Sequence, residues 1–204
     1  MIHNSIIYDN PNLEIIEEKI WVIHNFVKKE ESEVYLDFAN STTEEEWWKE
    51  NSGWYQGKYL NALVDPEINK LSSIITTRFS CLFKFGGKLS YGTPGSIHRM
   101  TQGQEMFVHA DFSEIDEGDD EIILFNTAIY HNDVTGGEIY YPEIGIEYHP
   151  TQGDLVIHPG TTKYRHGVKP VTKDTRYIST LWAANEKGMQ IKTSGQMSTS
   201  KTNG

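Results

Sequence analysis

The stretch MFVHADF at residues 106–112 is predicted to be a β-strand that carries two potential metal ligands, His109 and Asp111. Side chains two residues apart on a strand emerge from the same face, so these two can bind one ion together. His166, in YRHGV at residues 164–168, could complete a set of two imidazoles and one carboxylate on one face of an octahedron. Three coordination positions would stay open, as oxygen chemistry at Fe(II) requires.

Zinc is the competing metal for this set of ligands, because two histidines and one carboxylate also serve hydrolytic zinc enzymes. No His-Glu-x-x-His motif occurs in the sequence. A cupin-like zinc hydrolase, active without O₂, therefore stays the weaker alternative. A His-x-Asp pair alone is weak evidence, so the prediction of an iron site depends on the residues around it.

Arg176 follows His166 by ten residues, after a predicted turn around Lys173 and Asp174. This spacing fits a strand that returns to the same barrel as the metal ligands. A buried guanidinium needs an anion, and it binds a carboxylate through two parallel hydrogen bonds. The distal carboxylate of 2-oxoglutarate would provide that anion, and the alternative is an ion pair with a protein carboxylate.

The C-terminal half of the chain is predicted to be β, because short runs rich in Ile, Val, Tyr and Phe recur between turns that contain Gly, Pro and Asp. Strands of this length and spacing favour a barrel or jelly roll. The predicted strands are Met106–Phe112, Ile122–Tyr130, Glu138–Tyr141, Gly145–His149, Asp154–His158 and Arg176–Trp182.

The N-terminal third is predicted to be partly helical, after a first strand at Ile20–Val27. A helix is expected over Glu30–Asn40, and Ser41 with Glu44 forms a candidate capping box. Asp65 as N-cap with Pro66 at the first position predicts the clearest helix. We expect a single domain over 1–186, with helical support at about 28–80, a β core at about 81–184, and a flexible polar tail at 187–204.

Composition excludes several classes of function. The formal net charge of −11 argues against a phosphate backbone as partner, so no nucleic-acid binding is expected. Cys81 is the single cysteine, which excludes an internal disulfide. No apolar stretch approaches the roughly 20 residues that a membrane helix needs, and no secretory signal is visible, so we expect a cytoplasmic protein that does not bind membranes.

The stretch from Ile97 to Trp182 resembles the prolyl 4-hydroxylase-like branch of the 2-oxoglutarate and Fe(II)-dependent oxygenases. The shared motifs occur in the order that this family has them. They are Gly103-Gln104, His109-Ala110-Asp111, Ile129-Tyr130-His131-Asn132-Asp133, Gly136-Gly137-Glu138, Tyr141-Pro142, Gly153-Asp154, His166-Gly167-Val168, Pro170-Val171, Arg176 and Trp182.

The resemblance implies a double-stranded β-helix, a mainly β (α+β) fold with supporting helices. It implies that His109, Asp111 and His166 bind Fe(II), and that Arg176 anchors the far carboxylate of 2-oxoglutarate with help from Tyr130. The implied reaction couples the conversion of 2-oxoglutarate and O₂ to succinate and CO₂ with hydroxylation of an aliphatic C–H. Ascorbate is expected as reductant.

The leading expectation for the substrate is a prolyl residue in a peptide or protein. Two positions differ from common patterns of the family: Met106 stands where many members have Tyr, and Arg176 where procollagen-type members commonly have Lys. Hydroxylation of a free amino acid or another small metabolite is the alternative for the substrate. A non-catalytic β-helix binding module is the alternative from another class of function.

Several residues near these motifs are weighed as ordinary structural residues. His131 and Asp133 are expected to serve a turn, and His149 and His158 to end strands, while His98 is left open. The acidic loop at 113–121 could select cationic substrates or simply be solvated. Three aromatic residues could flank a substrate groove but more often pack in the interior: Trp54, Tyr55 and Tyr91.

Overall fold

The structure is a computed structural model, and it describes residues 10–49, 53–84, 87–111 and 122–199, with side chains to Thr193. The described chain contains many short antiparallel strands. In chain order they are β1 (Leu13–Glu17), β2 (Ile20–Ile23), β3 (Lys58–Asn61), β4 (Ser90–Tyr91), β5 (Ser96–Met100), β6 (Met106–His109), β7 (Leu124–Tyr130), β8 (Thr135–Gly136), β9 (Ile139–Tyr141), β10 (Ile146–Tyr148), β11 (Leu155–Pro159), β12 (His166–Val168), β13 (Val171–Lys173), β14 (Arg176–Ser179) and β15 (Trp182–Ala184).

The strands form two main sheets and one short pair. The larger sheet has the order β1-β2-β11-β7-β14-β5-β3, with β15 joining β7 to β4. The smaller sheet has the order β10-β9-β12-β6, and β8 pairs with β13. The chain passes back and forth between the two main sheets, so the predicted double-stranded β-helix is confirmed.

The two faces of the larger sheet bury different residues, because successive side chains on a strand point to opposite sides. On β7, Ile129 joins the large core beneath the helices. Its neighbours Ala128 and Tyr130 belong instead to a cluster with Val156 and Ile178 on the other face. The interior between the sheets is therefore separate from the helical core, and it carries the polar groups described below.

The described residues also form three α-helices: α1 (Lys29–Ser41), α2 (Pro66–Ser80) and α3 (Glu186–Thr199). Helix α2 begins as predicted, because the Asp65 side chain accepts hydrogen bonds from the backbone N–H groups of Glu67 and Ile68, both at 2.9 Å. Helices α1 and α2 contact each other and bury Tyr35 and Phe79 against the larger sheet.

Two predictions about the helices are corrected by the structure. The capping box is formed by Thr43 and Glu46 around a 3₁₀ turn, whereas the Ser41 hydroxyl donates back to the Phe38 carbonyl. The polar segment from residue 187, predicted to be a flexible tail, is helical to Thr199. Among the side chains of this helix that the structure describes, Met189 and Ile191 pack against Leu124 and Ala184 and so hold the helix against the sheet.

The acidic loop at 113–121 lies outside the described residues, as do residues 200–204. The predicted strand at Arg176–Trp182 is two strands, β14 and β15, which both pair with β7. In the described part of the chain, no helix combines the length and the apolar character needed to cross a bilayer.

The Gly153-Asp154 motif shapes the turn that precedes β11. The Asp154 carboxylate is buried and accepts hydrogen bonds from the Tyr148 hydroxyl at 2.8 Å and the Thr151 N–H at 2.9 Å. It also contacts His24 Nδ1 at 3.0 Å, while His24 Nε2 lies 2.9 Å from a Glu14 oxygen. His24 thus joins the first hairpin to this turn.

We expect His24 to make the free energy of unfolding depend on pH. Burial lowers the pKa of His24, but hydrogen bonds to Asp154 and Glu14 outweigh this effect and raise it above its ordinary value of 6.5. The contribution is therefore fully present below the unfolded pKa of about 6.5 and is lost as pH rises through the folded pKa. Urea unfolding of wild type and His24→Gln should differ more at about pH 6 than at about pH 8.5. An equal difference at both pH values would contradict this assignment.

Candidate metal and anion site

The three predicted metal ligands lie together at the edge of the space between the sheets. Strands β6 and β12 pair so that His109 stands opposite His166, and Asp111 follows β6 two residues later. One ligand atom from each residue lies within 4.8 Å of the other two, and His109 Nε2 is 3.6 Å from Asp111 Oδ1. The spacing is compatible with one ion bound by all three.

Backbone carbonyls fix the orientation of both imidazole rings. His109 Nδ1 lies 3.0 Å from the Phe107 carbonyl oxygen, and His166 Nδ1 lies 3.2 Å from that of Tyr164. A carbonyl oxygen only accepts, so in the neutral form of each ring Nδ1 would carry the proton and Nε2 would keep its lone pair. This second hydrogen bond is the usual support of a metal-binding histidine.

The carboxylate of Asp111 shows that these residues suit a cation. Its Oδ2 atom is buried and has no hydrogen-bond partner in the described part of the chain. Burial opposes ionisation, but the neighbouring His166 and His109 outweigh it and hold the pKa of Asp111 below its ordinary range. A buried, unpaired carboxylate oxygen costs free energy that a bound metal ion would recover.

Burial lowers the pKa of His166 to about 3, and the neighbouring His158 adds to this effect. The pKa of His158 is likewise lowered, first by burial. Both rings are therefore neutral at physiological pH, which is the state in which an imidazole binds a metal.

Arg176 is buried between the sheets and has no carboxylate partner among the described residues. Its side chain is only 3% exposed. One Nη lies 3.3 Å from the Tyr130 hydroxyl, the other 3.6 Å from the Met100 sulfur, and Nε is unpartnered. The protein carboxylate considered as an alternative is thus not found in this part of the chain, and the guanidinium keeps donors for an external anion.

One pocket contains both groups. Its volume is about 830 Å³, including space open to solvent, and it is lined by the metal-ligand cluster as well as by Tyr130 and Arg176. The two predicted groups are thus walls of the same cavity, although they come from different sheets. The pocket can hold a small anion that reaches from Arg176 towards a bound metal.

Two of the three aromatic residues considered for a groove line this pocket. Trp54 stacks on the His109 ring, with centroids 3.9 Å apart, and Tyr55 lies beside it. Met106, which replaces a common Tyr, also lines the pocket. Tyr91 instead packs against Phe79 in the helical core.

Four further pocket residues were not recognised from the sequence. His158 was expected to be an ordinary residue at a strand end, but its ring lies 4.3 Å from that of His166. His98 stands opposite Ile178 and faces the pocket near Arg176, and burial lowers its pKa to about 3. Asn126 and Lys192 complete this group. The histidines and Asn126 reach the pocket through the pairing of strands that are distant in sequence. Lys192 reaches it on α3, a helix that the polar composition of the segment did not indicate.

The other histidine candidates lie outside the pocket. His131 is fully buried rather than in an exposed turn, stacks on Tyr35 at 4.4 Å and contacts the Ser179 hydroxyl through Nε2 at 2.9 Å. Asp133 does serve a turn, because it accepts a hydrogen bond from the Gln152 N–H at 2.7 Å. His149 lies on the surface and pairs with Glu138.

A model of the 2OG-Fe(II) oxygenase superfamily matches residues 95–184, which include the metal-ligand cluster, Tyr130 and Arg176. No curated protein sequence matches the chain.

Several solved structures with a similar fold are distant in sequence. The viral collagen prolyl hydroxylase vCPH from Paramecium Bursaria Chlorella virus-1, in complex with 2OG, is 15% identical, with coverage of 81% of this chain and 96% of that one and a TM-score of 0.55. A prolyl hydroxylase from Trichoplax adhaerens, in complex with a hypoxia inducible factor peptide fragment, is 18% identical, with coverage of 84% and 86% and a TM-score of 0.61.

HygX from Streptomyces hygroscopicus, with nickel, 2-oxoglutarate and hygromycin B bound, is 13% identical to this chain. The match covers 82% of this chain and 83% of HygX, with a TM-score of 0.56. At such identities these likenesses establish a common fold.

Proposed function

Because the chain belongs to the 2OG-Fe(II) oxygenase superfamily, we propose that it hydroxylates an aliphatic C–H at an iron held by His109, Asp111 and His166. The observation that carries this proposal is the pocket itself, which joins a cluster of three metal ligands to a buried arginine without a carboxylate partner in the described chain. When bound, Fe(II) and 2-oxoglutarate supply O₂ activation, with release of succinate and CO₂.

The protein residues hold and orient these groups. The backbone carbonyls of Phe107 and Tyr164 fix the two imidazole rings, so that their Nε2 lone pairs are available to the metal. The orphaned Oδ2 of Asp111 adds the negative charge. Three protein ligands leave coordination positions open for an exogenous chelate.

Arg176 is the proposed anchor of the distal carboxylate of 2-oxoglutarate, and Tyr130 assists it. A guanidinium can bind a carboxylate through two parallel hydrogen bonds, and the Tyr130 hydroxyl beside it can donate a third. The buried position strengthens these bonds, since little water competes. The anchor would therefore fix which end of the co-substrate reaches the metal.

A prolyl residue in a peptide is the first candidate for the substrate. The family resemblance supports it, and structures named as prolyl hydroxylases share the fold. Trp54 and Tyr55 add an apolar, aromatic wall beside His109 that suits a pyrrolidine ring.

A small molecule is the second candidate. HygX, crystallised with hygromycin B, shares the fold. Lys192 from α3 and the amide of Asn126 give one end of the pocket a polar character that favours this candidate.

The test is to incubate the purified protein with Fe(II), ascorbate, O₂ and 2-oxoglutarate and to measure succinate. We expect slow succinate formation without added substrate and faster formation with the correct one, whose mass increases by one oxygen atom. Omission of Fe(II) is the control. If no succinate forms, and the anaerobic Fe(II) protein does not bind 2-oxoglutarate, the proposed function is wrong.

A further inference from the structure

The hydroxyl of Tyr141, on β9, is buried next to the pocket without a hydrogen-bond partner. The residue is fully buried, and its hydroxyl oxygen contacts no donor or acceptor in the described part of the chain. Ile139, two residues earlier on the same strand, lines the pocket. Because side chains two residues apart on a strand share a face, Tyr141 also points into the interior between the two sheets. An unpartnered hydroxyl in such a place costs free energy and calls for an explanation.

The ring of Tyr141 lies beside the metal-ligand cluster. Its centroid is 5.9 Å from that of His166 and 5.7 Å from that of His158. The pairing of β9 with β12, the strand that carries His166, brings the rings together. Burial raises the pKa of Tyr141 well above its ordinary value, and the neighbouring Tyr130 and Asp111 add to this effect. The hydroxyl therefore keeps its proton at physiological pH and is a potential donor.

The carboxylate of Asp111 lacks what this hydroxyl offers. Its Oδ2 atom is buried and has no donor in the described chain. A carboxylate that binds a metal is itself usually held by hydrogen bonds from a second layer of residues. Of the other buried side-chain atoms without a partner in the described chain, those of Ser32 and His131 lie outside the pocket, and that of Arg176 belongs to the proposed anchor. The Tyr141 hydroxyl is the one that remains.

We infer that Tyr141 is a positioning residue that donates a hydrogen bond to the Asp111 carboxylate in the metal-loaded protein, directly or through one water molecule. This inference rests on the proposed function, because it concerns the same metal site. The metal would take one carboxylate oxygen and Tyr141 would satisfy the other, so the carboxylate would keep the orientation that the metal requires. A bridging water serves nearly as well as a direct hydrogen bond. Tyr141 touches neither metal nor substrate in this arrangement.

The variant Tyr141→Phe tests this role, because it removes only the hydroxyl oxygen and keeps the ring. Mn(II), titrated by calorimetry into the protein freed of metal, is the probe. We expect the Kd for Mn(II) to rise roughly 10- to 100-fold, as is typical when an outer-shell partner is lost. Without metal the variant should be at least as stable to urea as the wild type, since it no longer buries an unpartnered hydroxyl. Either an unchanged Mn(II) affinity or a lower stability without metal would overturn the inference.

Tyr148→Phe is the matched control. The Tyr148 side chain packs against the same cluster of buried residues as Tyr141, but its hydroxyl already donates to Asp154 at 2.8 Å. The opposite pattern is expected: a lower stability to urea and an unchanged Mn(II) affinity. Co(II) in place of Mn(II) adds a spectroscopic signature, since its ligand-field absorption bands should shift in Tyr141→Phe and stay unchanged in Tyr148→Phe. A loss of Mn(II) affinity in Tyr148→Phe as large as in Tyr141→Phe would assign the effect to packing and reject the inference.

The wild type tests the proposed function in the same experiments. If it binds Mn(II) and 2-oxoglutarate and Tyr141→Phe has the same Mn(II) affinity, the inference alone is wrong. If the wild type binds neither, the proposed function is wrong and the inference is wrong with it.

Discussion

Replacing Arg176 by alanine is expected to weaken 2-oxoglutarate binding by about 3–5 kcal/mol, on the order of 10²- to 10⁴-fold. The reason is that the guanidinium is buried and its nearest described polar neighbours, the Tyr130 hydroxyl and the Met100 sulfur, are both neutral. Without it, the distal carboxylate of the co-substrate would be buried with no counter-charge. Calorimetric titration of the anaerobic Fe(II) protein with 2-oxoglutarate measures this loss directly.

Conservative variants separate charge from geometry at this position. Arg176→Lys keeps the positive charge but loses the planar fork, so an intermediate affinity is expected. Tyr130→Phe removes one hydroxyl and should weaken binding about tenfold. Arg165→Ala, at a half-exposed arginine near Glu143, is the matched control and should bind 2-oxoglutarate as the wild type does. Unchanged affinity in Arg176→Ala would remove Arg176 from the site.

The local part of the metal site could be predicted from sequence because it depends on one strand. Residues i and i+2 share a face whatever the rest of the fold, so His109 and Asp111 had to point the same way. The position of His166 required knowledge of which strands pair, and the motif order of the family supplied it. In the structure, β12 pairs with β6 and so places His166 beside His109.

The positions of His158 and Lys192 in the pocket could not be predicted from sequence because they depend on long-range contacts. A one-residue shift of β11 against β7 would turn His158 to the opposite face, and no local signal distinguishes the two registers. Because Pro159 follows it at a predicted strand end, His158 was expected only to end the strand. Lys192 was missed because the sequence of α3 has few apolar residues, and the contacts of Met189 and Ile191 with the sheet are visible only in the structure.

The two sheets contribute different chemical groups to the pocket. The smaller sheet carries the two imidazole ligands, on β6 and β12, while the larger sheet carries Arg176, Asn126 and His158. Helices α1 and α2 cover the outer face of the larger sheet, and none of their own residues lines the pocket, so they support the strands without contributing groups to it. Substitutions in the helical core should therefore change the free energy of unfolding more than they change the affinity for ligands.

Replacing His166 by alanine is expected to abolish iron-dependent succinate formation. The change removes one of three proposed ligands from a buried position and leaves only His109 and Asp111, which is too few to hold Fe(II) firmly. Loss of a partner in the outer shell of a metal typically costs about 10- to 100-fold, and loss of a ligand should cost more. Fe(II) affinity and succinate formation are both measured, since the first does not require a substrate.

A matched variant distinguishes loss of the ligand from a general effect of removing a histidine. His149→Ala alters a surface histidine that pairs with Glu138, so its Fe(II) affinity and succinate formation should equal those of the wild type. Circular dichroism of His166→Ala should show an intact fold, because the metal site lies at the edge of the sheets and outside the helical core. If a folded His166→Ala protein bound Fe(II) as tightly as the wild type, the metal would have to lie elsewhere. Arg176 would then serve an anion that does not reach a metal.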